Sequence, residues 1–197
     1  MGIASQVSLL VVVVLGIMSS PIFNRRGHFL LRRFGGWVIG IPALIMTGVA
    51  LYLTHAQFSV WQNDPISKYL LPPYHSISYF IVYAGAHFWI TYFISFVIAF
   101  VVYVIAAYMN ARRGGIFFEK EELYFLPLGI FLTGHPGWIL YMVITLFLYC
   151  ALCVVRFAVR KEMPRTSFYY FWLPCAAATI AANGYMTQFS WYSSLLL

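Results

Sequence analysis

Three glutamates, Glu119, Glu121 and Glu122, lie close together in an otherwise apolar chain. The chain has only 5 acidic residues in 197, so this cluster holds most of its carboxylates. Two carboxylates held side by side can share one proton and activate a water molecule, because like charges at short range do not both ionise. The first chemistry to consider is therefore acid–base hydrolysis at residues 119–122.

The same cluster also has a structural interpretation. A helix that starts near residue 117 would place Glu119–Glu122 in its first turns, where the helix dipole favours negative charge. There the carboxylates would neutralise the nearby Arg112 and Arg113. Glu119 and Glu122 would also lie about one turn apart on this helix, so a carboxylate pair within the cluster is conceivable.

Histidines provide a second set of candidate site residues. His55, His75 and His135 are predicted at helix ends, Asp64 lies in the same part of the chain, and His87 is predicted inside an apolar helix. Neutral imidazole binds metal ions and haem iron, so a b-type haem held by His87 and a second histidine is one alternative. The spacings match no compact metal motif. We therefore expect no metal site and no cofactor, with the histidines making ordinary interfacial hydrogen bonds.

The composition is that of a membrane protein. The chain is 62% hydrophobic and 9% charged, with a mean hydropathy of +0.83. A soluble domain usually carries about 25% charged residues. The net charge of +7 does not indicate nucleic-acid binding, because the basic residues form short clusters between apolar runs, as they do in loops on the inner side of a membrane.

The apolar runs predict an all-α, polytopic transmembrane helical bundle that forms a single membrane domain over residues 1–197. The third of these runs, residues 77–109, would be about 50 Å long as a helix. It must therefore be strongly tilted or extend past the ~30 Å hydrocarbon core. Six helices are predicted, at about 3–23, 35–54, 77–109, 117–133, 138–158 and 168–189.

The charge distribution predicts the orientation of these helices. All of the 12 Lys and Arg residues except Lys68 fall in three of the predicted loops. These loops are expected to be cytoplasmic, so both termini are predicted to lie on the outer side of the membrane. The membrane itself is predicted to be the cytoplasmic (inner) membrane of a bacterium. No charged residue is placed deep in a helix, and this disfavours ion-coupled transport.

Three segments give the chain a resemblance to the membrane aspartyl peptidases that process type IV prepilins and preflagellins. They are GIMSSPIFNRRGHFL, GGIFFEKEELYFLPLGIFLTG and MPRTSFYYFWLPCAAA. The family places one catalytic Asp at the end of an early helix, before a basic stretch, and another in a GxGD motif. Here Ser19 or Ser20 stands at the first position, and Glu121 or Glu122 stands at the second, after a displaced Gly114-Gly115. Both catalytic Asp positions are therefore unmatched.

These observations predict a non-catalytic subunit of a larger membrane assembly. Its expected partners are the lipid bilayer and other membrane protein subunits, and the resemblance implies pilus, secretion or conjugation machinery as the setting. One alternative is a prepilin-type peptidase that uses Glu119, Glu121 or Glu122 in place of Asp. The other is a redox subunit that binds haem b through His55, His75, His87 or His135.

Overall fold

The computed structural model describes residues 2–19, 35–115, 118, 122–160 and 171–195, and these residues are helical with no strand among them. A 3₁₀ turn, Ser67–Leu70, and a π-helical segment, Gly85–Trp89, interrupt the α-helices. The α-helices are α1 (Ile3–Ser19), α2 (Gly35–Asn63), α3 (Ser78–Ala84), α4 (Ile90–Arg112), α5 (Glu122–Thr133), α6 (Gly137–Arg160), α7 (Trp172–Met186) and α8 (Ser190–Ser193).

Three helices are long and apolar enough to cross a membrane: Gly36–Asn63, the continuous α3–α4 run Ser78–Arg112, and Gly137–Val159. Only 17%, 17% and 11% of the residues in their most apolar stretches are buried within the protein. Apolar side chains that face outward in this proportion suit lipid as the surrounding solvent. The fold and this surface together fit an integral membrane protein.

The short helix α5 forms the centre of the bundle. It packs against α1, α2, α4, α6 and α7, and every residue from Phe125 to Thr133 is buried. A helix that is apolar all round can be surrounded by other helices or by lipid, and here other helices surround it. Its 12 described residues reach about 18 Å, and they are fewer than the 15 to 29 residues of the helices that pack around α5.

Two glycines allow α5 to fit this position. A Cβ built on Gly129 would lie 2.4 Å from both Cζ and Oη of Tyr141 on α6, so only glycine leaves room for that ring. Gly134 follows the helix with a φ of 68°, a left-handed conformation that other residues rarely adopt. The turn at Gly134 then leads directly into α6.

The α2–α3 hairpin extends beyond the rest of the bundle. We call residues 54–90 the arm; it comprises the end of α2, the 64–77 connection, α3 and the π-helical segment. Its small hydrophobic cluster is separate from the main core, and Trp89 Nε1 donates a hydrogen bond to Thr54 Oγ1 (3.1 Å) where the arm begins. The cluster has Trp61, Leu71, Phe80 and Ala84 at its centre.

The observed helices match the sequence prediction in order and differ in their ends. α2 continues nine residues past the predicted end at 54, because the polar residues after Thr54 are interspersed with Phe58 and Trp61, which pack on α3. α5 is described from Glu122, and Phe118 lies in a bend, whereas the predicted helix began near 117. The α3–α4 run is continuous, as predicted, although it contains the π-helical segment.

Candidate functional site

Glu122 is the one member of the glutamate cluster among the described residues; Glu119 and Glu121 lie outside them. It occupies the first turn of α5, and it is only 4% exposed. The start of a helix favours a carboxylate because the unpaired backbone N–H groups there carry partial positive charge. Glu122 is therefore a buried acid at the entrance to the central helix.

The end of α4 is organised around Asn110, which is buried in its last turns. Gly114 and Gly115 have φ angles of 65° and 78°, and Gly115 N–H donates to the Asn110 carbonyl at 2.8 Å. Left-handed glycines of this kind commonly terminate helices. The Asn110 side chain then forms two hydrogen bonds with the backbone of Phe118. These bonds hold the segment that leads to Glu122 against α4.

His135 lies in the turn between α5 and α6 and uses both of its ring nitrogens. Nδ1 accepts a hydrogen bond from Trp138 Nε1 (3.2 Å), and Nε2 donates to the Leu195 carbonyl (3.0 Å). The ring is therefore neutral, with its proton on Nε2. Nearby, the Tyr192 hydroxyl donates to Asn183. His135 thus fastens the C-terminal segment to the turn.

The other three candidate histidines, His55, His75 and His87, belong to the arm and are not gathered around one point. His55 is exposed on α2, His75 stacks near Tyr79, and His87 stacks on Tyr83 with ring centroids 4.1 Å apart. His87 Nδ1 is also 3.0 Å from the Tyr83 carbonyl. Among the described residues, no three His, Cys, Asp or Glu side chains are grouped as a metal site would require.

A lateral groove runs between α2 and α4, with α5 as its floor. It consists of two cavities of about 260 Å³ and 230 Å³ that share the rings of Phe96 and Phe131. These two rings pack edge to face, with centroids 5.9 Å apart. The aromatic pair divides the groove into two halves along its length.

The lining of the groove is almost entirely apolar. α2 contributes four small residues, Gly36, Ala43, Thr47 and Ala50, together with the larger Ile39 and Met46. The Thr47 hydroxyl donates a hydrogen bond to the Ala43 carbonyl of its own helix (2.8 Å). Opposite them, α4 contributes aromatic rings. Small residues allow the backbone of another helix to approach closely in a membrane. The groove is thus shaped mainly for an apolar neighbour, and its polar groups come chiefly from the tyrosines Tyr92, Tyr103 and Tyr124.

Sequence reasoning missed the groove because it concentrated on the charged residues. The available signal was the spacing of Gly36, Ala43 and Ala50, which recur every seven residues and so lie on one face of α2. The opposite wall and the floor come from α4 and α5, and no local pattern indicates that these helices meet there.

The fold and these sites define an all-helical protein with three helices that are long and apolar enough to span a membrane. Compared with protein-family models, curated proteins and solved structures, the chain matches none. Function must therefore be argued from the groove, the buried Glu122 and the surface of the helices.

Proposed function

We propose that the protein is a non-catalytic, multi-pass subunit of a larger membrane assembly, and that a transmembrane helix of another subunit packs in the lateral groove. The observation that carries this proposal is the apolar groove with the small residues of α2 on one wall. In lipid, helices associate through close packing, and small residues make that packing possible.

In this proposal the chain crosses the membrane six times, with both termini outside. Arg112, Arg113 and Arg156 then lie on the cytoplasmic side, together with the other basic clusters of the sequence. The assembly belongs to the cytoplasmic membrane of a bacterium, and the resemblance to prepilin peptidases favours pilus, secretion or conjugation machinery.

Purification in a mild detergent tests this function. We expect specific membrane chains to co-purify with the wild-type protein and to be lost when Ala43→Leu and Thr47→Leu fill the groove. Gly48→Leu is the matched control, because Gly48 is exposed on the same helix and has no neighbour within 4 Å. A wild-type protein isolated as a single chain from its own membrane would contradict the proposal.

The burial of Glu122 favours one second candidate, a prepilin-type peptidase in which glutamate replaces aspartate. A buried carboxylate at a helix start resembles the protonated or shared acid that such chemistry uses. Co-expression with a prepilin substrate tests this candidate, since Glu122→Gln and Glu121→Gln should each abolish cleavage. Glu122→Asp should retain it, because it keeps the carboxylate. If wild type releases no cleaved product, this candidate is wrong.

A further inference from the structure

His135 joins three parts of the bundle at one point. Its backbone N–H donates to the Thr91 carbonyl at the start of α4 (3.2 Å). Its ring accepts a hydrogen bond from the Trp138 indole on α6 (3.2 Å) and donates one to the Leu195 carbonyl in the C-terminal segment (3.0 Å). One ring therefore links the start of α6 to the C-terminal segment.

Only the neutral ring of His135 can make both side-chain hydrogen bonds. The indole of Trp138 is a donor with no acceptor, so the ring must present the lone pair of Nδ1 to it. A second proton on the ring would occupy that lone pair and place two N–H donors face to face. A protonated ring therefore cannot keep its contact with Trp138, and either the ring or the indole must move.

The imidazole ring has more freedom to move than the indole. Trp138 packs against the main hydrophobic core. His135 is partly exposed in the turn, and its bond to Leu195 lies at the surface of the protein. A charged ring that turned from the indole into water would also move Nε2 away from the Leu195 carbonyl. Protonation of His135 would thus break both bonds of its side chain.

The C-terminal segment has a second attachment, which does not depend on the charge of His135. Tyr192 is only 1% exposed, and its hydroxyl donates to Asn183 on α7. A Cβ built on Gly137 would lie 3.7 Å from the same hydroxyl, so Tyr192 also packs against the start of α6. The segment is therefore anchored at Tyr192 and held a second time at Leu195.

The surroundings of His135 carry no other group that gains charge on mild acidification. Histidine ordinarily does so between about pH 5 and pH 8. The described elements around the turn carry no Asp, Glu, Lys or Arg in the first turns of α4 and α6, the last turns of α5 and α7, or residues 187–195. Their titratable groups are tyrosines, which keep their proton in this range: Tyr92, Tyr141, Tyr185 and Tyr192. His87 lies about one helical turn before Thr91, and its ring stacks on Tyr83.

We propose that His135 is a pH-sensitive latch for the C-terminal segment. The neutral ring holds Leu195 against the turn. The protonated ring turns away from Trp138 and releases Leu195, while Tyr192 keeps the segment attached. In the orientation proposed above, this turn lies on the outer side of the membrane, so the latch responds to the pH on that side. The inference goes beyond the assembly role and does not depend on a partner subunit.

Electron paramagnetic resonance of a spin label on Leu195→Cys tests the latch. The Leu195 side chain is exposed, and its replacement keeps the backbone carbonyl that His135 binds. The label is attached in a Cys150→Ala, Cys153→Ala background. The buried Cys175 remains, and its labelling is measured in that background without Leu195→Cys. The purified protein is measured in detergent at about pH 7.5 and about pH 5.5, on either side of the ordinary titration of histidine.

We expect the mobility of the label to rise several-fold at the lower pH. In His135→Gln the label should stay immobile at both pH values, because glutamine offers a donor and an acceptor and does not titrate. In Trp138→Phe it should also stay immobile, because the protonated ring then meets no opposing donor. His87→Gln is the matched control and should keep the full response.

Three results would overturn the latch. One is equal mobility at both pH values in the labelled protein without further substitution. The second is a pH response that persists in His135→Gln or in Trp138→Phe. The third is loss of the response in His87→Gln, because the titrating group would then be His87. Co-purification of partner chains is a separate measurement, so the latch and the proposed function can fail independently.

Discussion

Asn110 holds the backbone of Phe118 at two points: its Oδ1 accepts from the Phe118 N–H at 3.1 Å, and its Nδ2 donates to the Phe118 carbonyl at 3.2 Å. Asn110 is only 8% exposed. A single side chain thus supplies both backbone hydrogen bonds of a residue that lies outside any helix. It fixes Phe118 against the end of α4.

We therefore expect Asn110→Ala to loosen this connection. The free energy of unfolding in detergent should fall by about 1–2 kcal/mol, because two backbone groups lose their partner. Trypsin should cleave faster after Arg112 and Arg113. Asn63→Ala is the control, since Asn63 makes an exposed hydrogen bond within its own helix, to the Ser59 carbonyl at 2.8 Å. Equal trypsin sensitivity in the two variants would contradict the role of Asn110.

The contact between Gly129 and Tyr141 gives a prediction about packing. Gly129→Ala places a methyl group into the Tyr141 ring, and overpacking of this kind costs about 1–3 kcal/mol. Thermal unfolding in detergent measures the loss, and adding Tyr141→Leu should recover part of it. Gly48→Ala is the matched control, because nothing lies within 4 Å of its Cβ position. If both glycine variants unfold at the same temperature, the contact does not constrain the bundle.

Removing the Tyr141 hydroxyl should have the opposite effect. This hydroxyl is fully buried and has no hydrogen-bond partner among the described residues. A buried polar group without a partner is unfavourable, so Tyr141→Phe is expected to leave the free energy of unfolding unchanged or to raise it. The same thermal measurement checks this expectation, and a clear loss of stability would indicate a hydrogen bond that forms in the membrane.

His135 should control how firmly the C-terminal segment is held. His135→Ala removes the bond to the Leu195 carbonyl and the acceptor for Trp138. We expect carboxypeptidase to release the last residues faster from this variant, as measured by mass spectrometry. The control is His55→Ala, because His55 is exposed and distant in sequence from the C-terminus. Release at the wild-type rate would show that Tyr192 and Asn183 hold the segment without His135.

Asp64 makes the turn at the tip of the arm dependent on pH. Hydrogen bonds from Ser67, and then from the Ile66 backbone, lower the pKa of this exposed carboxyl below its ordinary value near 4. A lowered pKa means that the charged form stabilises the turn. This stabilisation is complete above the ordinary value and is lost as the pH falls through the lowered one. Amide NMR shifts of Ile66 and Ser67 should follow this titration, whereas Asp64→Asn should give shifts that do not titrate.

The apolar runs predict most of the helices because each long run has only one structure that satisfies its backbone in lipid. The end of α2 is different, since His55, Gln57 and Gln62 have the composition of a loop and become helical only through the packing of Phe58 and Trp61 on α3. The central position of α5 was also not predictable. Its residues resemble those of any membrane helix, and only the packing of five other helices around it makes it the core.

For the glutamate cluster too, the sequence predicts the position of a residue along a helix but not its burial. The sequence correctly indicates that Glu122 lies at the start of a helix, and this position follows from its place before an apolar run. Its burial could not be predicted, because it depends on how α5 is enclosed by its neighbours. The cleavage assay of Glu122→Gln tests whether this buried carboxylate takes part in chemistry.

The shortness of α5 has a consequence for how the protein is made. The twelve described residues of α5 reach about 18 Å, less than a hydrocarbon layer of about 30 Å. We therefore expect α5 to enter the bilayer together with α6, to which the turn at Gly134 joins it. Because α5 packs against α1, α2 and α4, we expect these earlier helices to complete their packing only after this pair is in place.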